Sequence, residues 1–393
     1  MTTEQDVIGQ VESASKHELD DVIRAIFEDP AASVIPGWTA NSLGMPVNGI
    51  GSLAILKVEG AAVVGGATMD WSVVLKVMTS GADIGPGKMG SVDREVEAYR
   101  QGIFEDRSVG FRAAHVYAIS EKEHGDIWLW TEDLSGFDGN PWSADTYIQA
   151  GESLGRLNGN LLRQPSVAGA WMNRRVSASR WIRPDFMAYL DLLAGARESE
   201  YVRRAFPGNL YDRALSFPAD FSRLVDLADR LPESVAHADC HVRNLFASTD
   251  NDGRFELIAI DLAAVGIESV GTDAGTLLGS SLTWGDEEAD TVIRAEPAFF
   301  GSFMEGLHSE NPEVSEELIR LGYLTAICGY GLGASAIPVM VDARARGWEG
   351  VAKRYGEGDA IENLPDSYRV RIEFIATLFD EAVELVDRVI SKL

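Results

Sequence analysis

One stretch constrains this chain more than any other: His237-Ala-Asp239-Cys-His241-Val-Arg243-Asn244, an apolar run, then Ile258-Ala-Ile260-Asp261-Leu-Ala. An aspartate is followed five residues later by an asparagine, and a second aspartate ends the next apolar strand. Asp239 is placed to take a proton from a hydroxyl group. Asn244 and Asp261 offer oxygen donors of the type Mg²⁺ accepts beside waters and phosphate oxygens. Moving a γ-phosphoryl group needs both: a carboxylate to receive the acceptor's proton and oxygen ligands to hold a cation on the phosphates.

The rest of such machinery follows in order upstream. Trp71-Ser-Val-Val-Leu75-Lys76-Val-Met alternates as a strand and carries a lysine. Some twenty residues later, Asp93-Arg94-Glu95-Val-Glu97-Ala-Tyr99-Arg100 reads as a helix offering Glu95 to that lysine, with Glu97 as the second choice. The glycine-rich run between them, residues 81–90, reads as a loop. Asp126-Ile-Trp128-Leu-Trp130-Thr-Glu132-Asp133-Leu134 is an apolar strand entering an acidic turn. Asn48-Gly49-Ile50-Gly51-Ser52 either covers phosphates through backbone N–H groups or is a plain hairpin turn. Taken in order, these parts have the spacing of a kinase catalytic apparatus.

On those residues the chain resembles the aminoglycoside phosphotransferase and choline kinase family, small-molecule kinases with a protein-kinase-like fold. Trp130-Thr-Glu132-Asp133-Leu134 is similar to that family's Leu-Glu-Asp-Leu hinge. Ala150-Gly-Glu-Ser-Leu154-Gly155-Arg-Leu157 is similar to its Leu-Gly-x-Leu-His helix, with Asn158 in the histidine's place. His237-Ala-Asp239 stands for His-Gly-Asp, and Gly271-Thr-Asp273-Ala for a later Asp-Leu-Ala. The resemblance implies an α+β, two-lobed fold, with a small antiparallel sheet lobe and a larger, mainly helical lobe. It implies ATP or GTP with Mg²⁺. Lys76, Glu95, Asn48, Gly49, Gly51, Ser52, Glu132, Leu134 and Arg243 would then serve the nucleotide, Asn244 and Asp261 the metal, and Asp239 the proton. Asp273 would brace the catalytic loop, and His237 and Cys240 would be structural. Two departures stand out: the metal segment reads Asp261-Leu-Ala, without an acidic residue two places on, and no Ala-Pro-Glu follows it. The second argues against an ordinary protein kinase.

The formal charge of −27 disfavours nucleic acid, whose phosphates require clustered Lys and Arg. Acidic runs gather late, at residues 286–290, 310–317, 357–366 and 373–387. A negative cleft there would favour a small cationic acceptor, such as an aminoglycoside, an amino sugar or a choline-like alcohol; solvated helix faces are the alternative. Two further readings remain open: Ser or Thr of a peptide as acceptor, and a kinase-shaped binding module without turnover. The two cysteines support no disulfide framework. No signal peptide is indicated, which points to the cytoplasm. Residues 321–340 are uncharged over a membrane-spanning length but contain several glycines and a proline, and read as a buried helix with a glycine-rich break rather than a span.

The expected organisation is a nucleotide-binding lobe over residues 1–135, opening with one amphipathic helix from Gln5 to Phe27. A helical lobe over 136–393 follows, carrying the catalytic loop and the acceptor site. A Trp- and Arg-rich insertion from Arg163 to Tyr211 is expected to line the acceptor side.

Overall fold

The computed structural model describes residues 3–44, 52–79, 90–122, 125–137, 141–175, 189–228, 230–249, 252–284, 288–344 and 359–390. The chain divides into two compact units. One takes Met1–Glu105, Arg112–Asp138 and Ile258–Ala264; the other takes Asp106–Phe111, Gly139–Leu257 and Val265–Leu393. The architecture is α+β, with an antiparallel sheet in the first unit and mostly helices in the second. The short return of residues 258–264 to the first unit lies far along the sequence from the rest of it.

In the first unit, strands β1 (Ser33–Ser42), β2 (Ser52–Val64) and β3 (Ala67–Thr79) form a meander. With β5 (Val116–Glu121) and β6 (Asp126–Glu132), they make an antiparallel sheet in the order β1-β2-β3-β6-β5. Pro36 has no N–H to give, and the ladder between β1 and β2 shifts register between Ile35 and Thr39, on an edge strand where this is tolerated. Two helices precede the sheet where one was expected: α1 (Glu4–Glu12) and α2 (Lys16–Phe27). The break has a local cause. Ser13 Oγ donates back to Gly9 O at 2.6 Å, closing α1, and Ser15 opens α2 by accepting from Glu18 N.

Strand alternation decides what each side of the sheet touches. In β3, Val73, Leu75 and Val77 join the core formed with Val7, Val11, Leu19 and Ile23 of α1 and α2. Met78 packs on the other side with Val92 and Val96 of α3 (Val92–Arg100). Lys76 shares the parity of Met78, so the pleat that buries Leu75 against α1 and α2 also turns Lys76 toward α3.

In the second unit, α4 (Ala144–Leu162) lies against a long helix, Ala289–Glu310, through Gly151, Gly155 and Gly159. A Cβ at Gly155 would run into the carbonyl of Phe303, so the two backbones approach only because that position is glycine. Strand β8 (Glu233–Ala236) pairs antiparallel with β11 (Gly266–Ser269) and ends immediately before His237. Residues 321–340 lie within one uninterrupted helix, Glu316–Arg344, without the expected break. Its glycines serve packing instead: Gly322 abuts the Val270 carbonyl, and Gly331 meets Ile375. The helix is long and apolar enough to cross a membrane, yet 89% of its apolar window is buried inside the protein.

Candidate active site

The candidate residues form two clusters, one in each unit. In the first unit, Lys76 Nζ donates to Glu95 Oε2 at 2.7 Å, to Glu95 Oε1 at 3.0 Å and to Asp261 Oδ1 at 2.9 Å. Glu95 meets the lysine because it sits on the buried face of α3. Glu97, half a turn away, accepts from Gln101 instead. Burial would lower the Lys76 pKa, but the charges of Asp261 and Glu95 overcome it and hold the ammonium above its ordinary value. Burial has the opposite effect on Glu95, raising its pKa to about 7 against the opposing pull of Lys76. Asp261 lies just past the strand Phe255–Ala259 with φ at 61°, a left-handed conformation that is uncommon for a residue with a Cβ. Its side chain is 36% exposed, which leaves it reachable by an incoming cation.

The second cluster is the catalytic loop. Asp273, in the first turn of the helix Thr272–Trp284, accepts from His237 N and Ala238 N, both at 2.9 Å. Asp273 is almost wholly buried, and burial raises its pKa, against the pull of the His237 and Ala238 N–H donors. These two hydrogen bonds hold Ala238 at φ 63°, where glycine would be unstrained. The turn presents Asp239. Asn244 Nδ2 donates to Asp239 O at 3.1 Å and to Asp239 Oδ2 at 3.3 Å, closing the loop on itself. His241 Nε2 lies 3.3 Å from the same carboxylate oxygen. His237 is fully buried, and its Nδ1 accepts from Asp239 N at 3.3 Å. Burial, with Asp273 and Asp239 nearby, pushes the Cys240 thiol far above its ordinary pKa, leaving it protonated and inert. Arg243 is exposed on the 3-10 turn Val242–Asn244.

The remaining candidates divide. Leu134 is buried just beyond β6 (Asp126–Glu132). The Glu132 carboxylate takes Arg112 and His115 N, so that side chain ties the end of β6 to the turn before β5 (Val116–Glu121). Its neighbour Asp133 pairs with Lys57 at 3.0 Å and with Ser72 Oγ at 2.8 Å. Burial would raise Asp133, but the Ser135 N–H, Lys57 and Ser72 hold its pKa down to about 2. Ser52 opens β2 opposite Met78, and its backbone is part of the sheet ladder. Asn48, Gly49 and Gly51 lie outside the described residues.

Two residues near the lysine were not singled out from the sequence. Arg94 is buried and donates to Ala263 O at 2.8 Å. Tyr99 lies one helical turn after Glu95; burial, with Glu95, Asp261 and Glu132 nearby, pushes its phenol well above the ordinary pKa. The signal for both was present in the 3.6-residue period of α3, which puts residues 91, 94, 95, 98 and 99 on one side.

Several late carboxylates turn out to brace helices. Asp366 pairs with Arg204, Asp380 with Arg213, Asp387 with Arg223, and Glu381 with Arg320. In the insertion, Arg174 and Arg175 both pair with Glu233, and Arg197 with Asp212. Residues 176–188 of that insertion lie outside the described residues.

Among the described residues, no three His, Cys, Asp or Glu side chains gather as a metal cluster. An Mg²⁺ site does not need such a cluster, since the ion takes one or two carboxylates and fills its sphere with water and phosphate oxygens. Asp261, partly exposed in the first unit, and Asn244 in the second each offer an oxygen donor of that kind.

No family model matches the chain, and no curated protein matches it. Solved structures with a similar chain course include an amicoumacin kinase (13% identity, 88% of each chain covered, TM-score 0.44). A choline kinase from Cryptosporidium parvum is 12% identical, over 96% of this chain and 97% of that one, with TM-score 0.44. A spectinomycin phosphotransferase is 10% identical, over 95% and 99%, also at 0.44. Likenesses this distant carry no weight beside the side-chain geometry.

Proposed function

We propose that the chain is an ATP- and Mg²⁺-dependent phosphotransferase that moves the γ-phosphoryl group to a hydroxyl of a small, cationic acceptor. The observation that carries this reading is Lys76, partly buried and held between Glu95 and Asp261. A lysine so oriented is preorganised to meet nucleotide phosphates without having to be gathered on binding. Asn244 and Asp261 would hold Mg²⁺, which when bound neutralises charge on the phosphates. Asp239 would accept the acceptor's proton at its carboxylate, with Asn244 and the Asp273-braced turn fixing its direction. The net charge of −27 supports a cationic acceptor, because the field of the whole protein concentrates positive ligands. That support comes from the overall field alone, since Asp366, Asp380, Glu381 and Asp387 are taken up by arginines.

The test is a screen of cationic alcohols, amino sugars and aminoglycosides with Mg-ATP, following ADP release and the mass gain of one phosphoryl group on the acceptor. Wild type should phosphorylate at least one class, and Asp239→Asn should be slower by about 10²-fold or more, as loss of a general base dictates. Equal rates in the two proteins would remove Asp239 from the reaction. Transfer to Ser or Thr of a peptide in preference to the amino compounds would replace the acceptor class.

A further inference from the structure

The turn that carries Asp261 is fastened to helix α3 at more points than the lysine pair requires. Ala263 O accepts from Ser91 N at 3.0 Å and from Arg94 Nη1 at 2.8 Å. The Leu262 N–H donates to the Glu95 carboxylate. Ser91, Arg94 and Glu95 thus grip the two residues that follow Asp261, and all of these residues belong to the first unit. Asp261 itself has φ of 61°. For a residue with a Cβ this conformation is unfavourable, so surrounding contacts must maintain it. Ser91 supplies a backbone donor that any residue would supply. Arg94 is the contribution of side-chain identity: a buried guanidinium that donates to a carbonyl two residues past the carboxylate.

We propose that Arg94 is a positioning residue for Asp261. It fixes the backbone of residues 261–263 on α3, so that the carboxylate is aimed by the same helix that carries Glu95. The lysine, its glutamate and the metal carboxylate are then set as one constellation by the fold. No separate ordering event is needed to bring Asp261 into place. The inference rests on the reading of Asp261 as an Mg²⁺ ligand, and it assigns a role to a residue that would touch neither metal nor nucleotide. Partners that orient a metal ligand cost about 10–100-fold in metal affinity when removed.

The experiment compares wild type, Arg94→Met and Arg94→Lys. The readout is thermal stabilisation by ATP, first without metal and then across a Mg²⁺ titration. Methionine keeps the apolar stem and loses the donor; lysine keeps one donor for Ala263 O. We expect the Mg²⁺ concentration for half-maximal ATP stabilisation to rise about tenfold or more in Arg94→Met. The metal-free ATP shift, which depends on Lys76, should stay within about twofold of wild type, and Arg94→Lys should recover most of the loss. A folded Arg94→Met with the wild-type Mg²⁺ requirement overturns the proposal. If Arg94→Met does not fold, Arg94→Gln, whose shorter side chain withdraws the donor from Ala263 O, decides: a Mg²⁺ requirement raised about tenfold or more supports the proposal, and one close to wild type overturns it. Wild-type protein whose ATP shift ignores Mg²⁺ overturns the phosphotransfer reading itself, and this proposal with it.

Discussion

The lysine corner of the first unit and the catalytic loop of the second are organised by different forces. At the corner, one ammonium lies between two carboxylates, and at Lys76 and Glu95 the charge of the partner opposes burial. In the loop, the organising group is the Asp273 carboxylate, which accepts two backbone amides and keeps Ala238 in a left-handed turn. Desolvated charges at the corner are worth having only while every partner is present. The loop stores modest strain in its backbone and holds it with buried hydrogen bonds. The corner should therefore respond to pH, and the loop to changes in backbone preference.

The largest effect that separates the two comes from removing the loop's brace. Asp273→Ala leaves two buried amides without their acceptor, at about 1–3 kcal/mol each. Chemical denaturation should show a loss of several kcal/mol; one under about 0.5 kcal/mol would mean that the turn holds itself. Next is Ala238→Gly, which removes the left-handed penalty at the cost of a freer unfolded chain. A net gain of at most about 1 kcal/mol is expected in the same assay. Clear destabilisation would show that Ala238 is not strained.

The corner is sharpened by pH. Glu95 has a folded pKa of about 7 against an ordinary 4.5, so between those values the folded protein holds a proton that the unfolded chain has released. Stability contributed by Glu95 is thus present at low pH and lost as pH rises through that window, with the loss complete above about 7. Comparing the Tm of wild type and Glu95→Gln from pH 4.5 to 8 should show wild type losing ground up to about 7 and none beyond. Parallel curves would put an ionised Glu95 in the fold throughout.

Much of this was legible in the sequence for a physical reason. Lys76 stands out by strand alternation, Glu95 and Glu97 by a helical pattern about twenty residues on, and Asp239 with Asn244 by the spacing of a kinase catalytic loop. The return of residues 258–264 to the first unit was not legible, because no local pattern records which unit a strand end joins. Nor was Arg94, since a helix pattern shows a buried side but not which carbonyl lies opposite. For the same reason the late acidic runs leave a cleft and solvated helix faces equally open in the sequence, and the pairing of Asp380 with Arg213 and of Asp387 with Arg223 is visible only in the fold. The break in the leading helix is hidden in the sequence because Ser13 and Ser15 interrupt a helix only through the hydrogen bonds they make.

The most direct test of the central claim is ATP-induced thermal stabilisation of wild type and Asp261→Ala, each with and without Mg²⁺. The account predicts a Mg²⁺-dependent rise in Tm for wild type that vanishes in Asp261→Ala, while the metal-free shift survives. A rise that ignores both the metal and the substitution, or no rise at all, would contradict a working phosphotransfer site and favour a binding module without turnover.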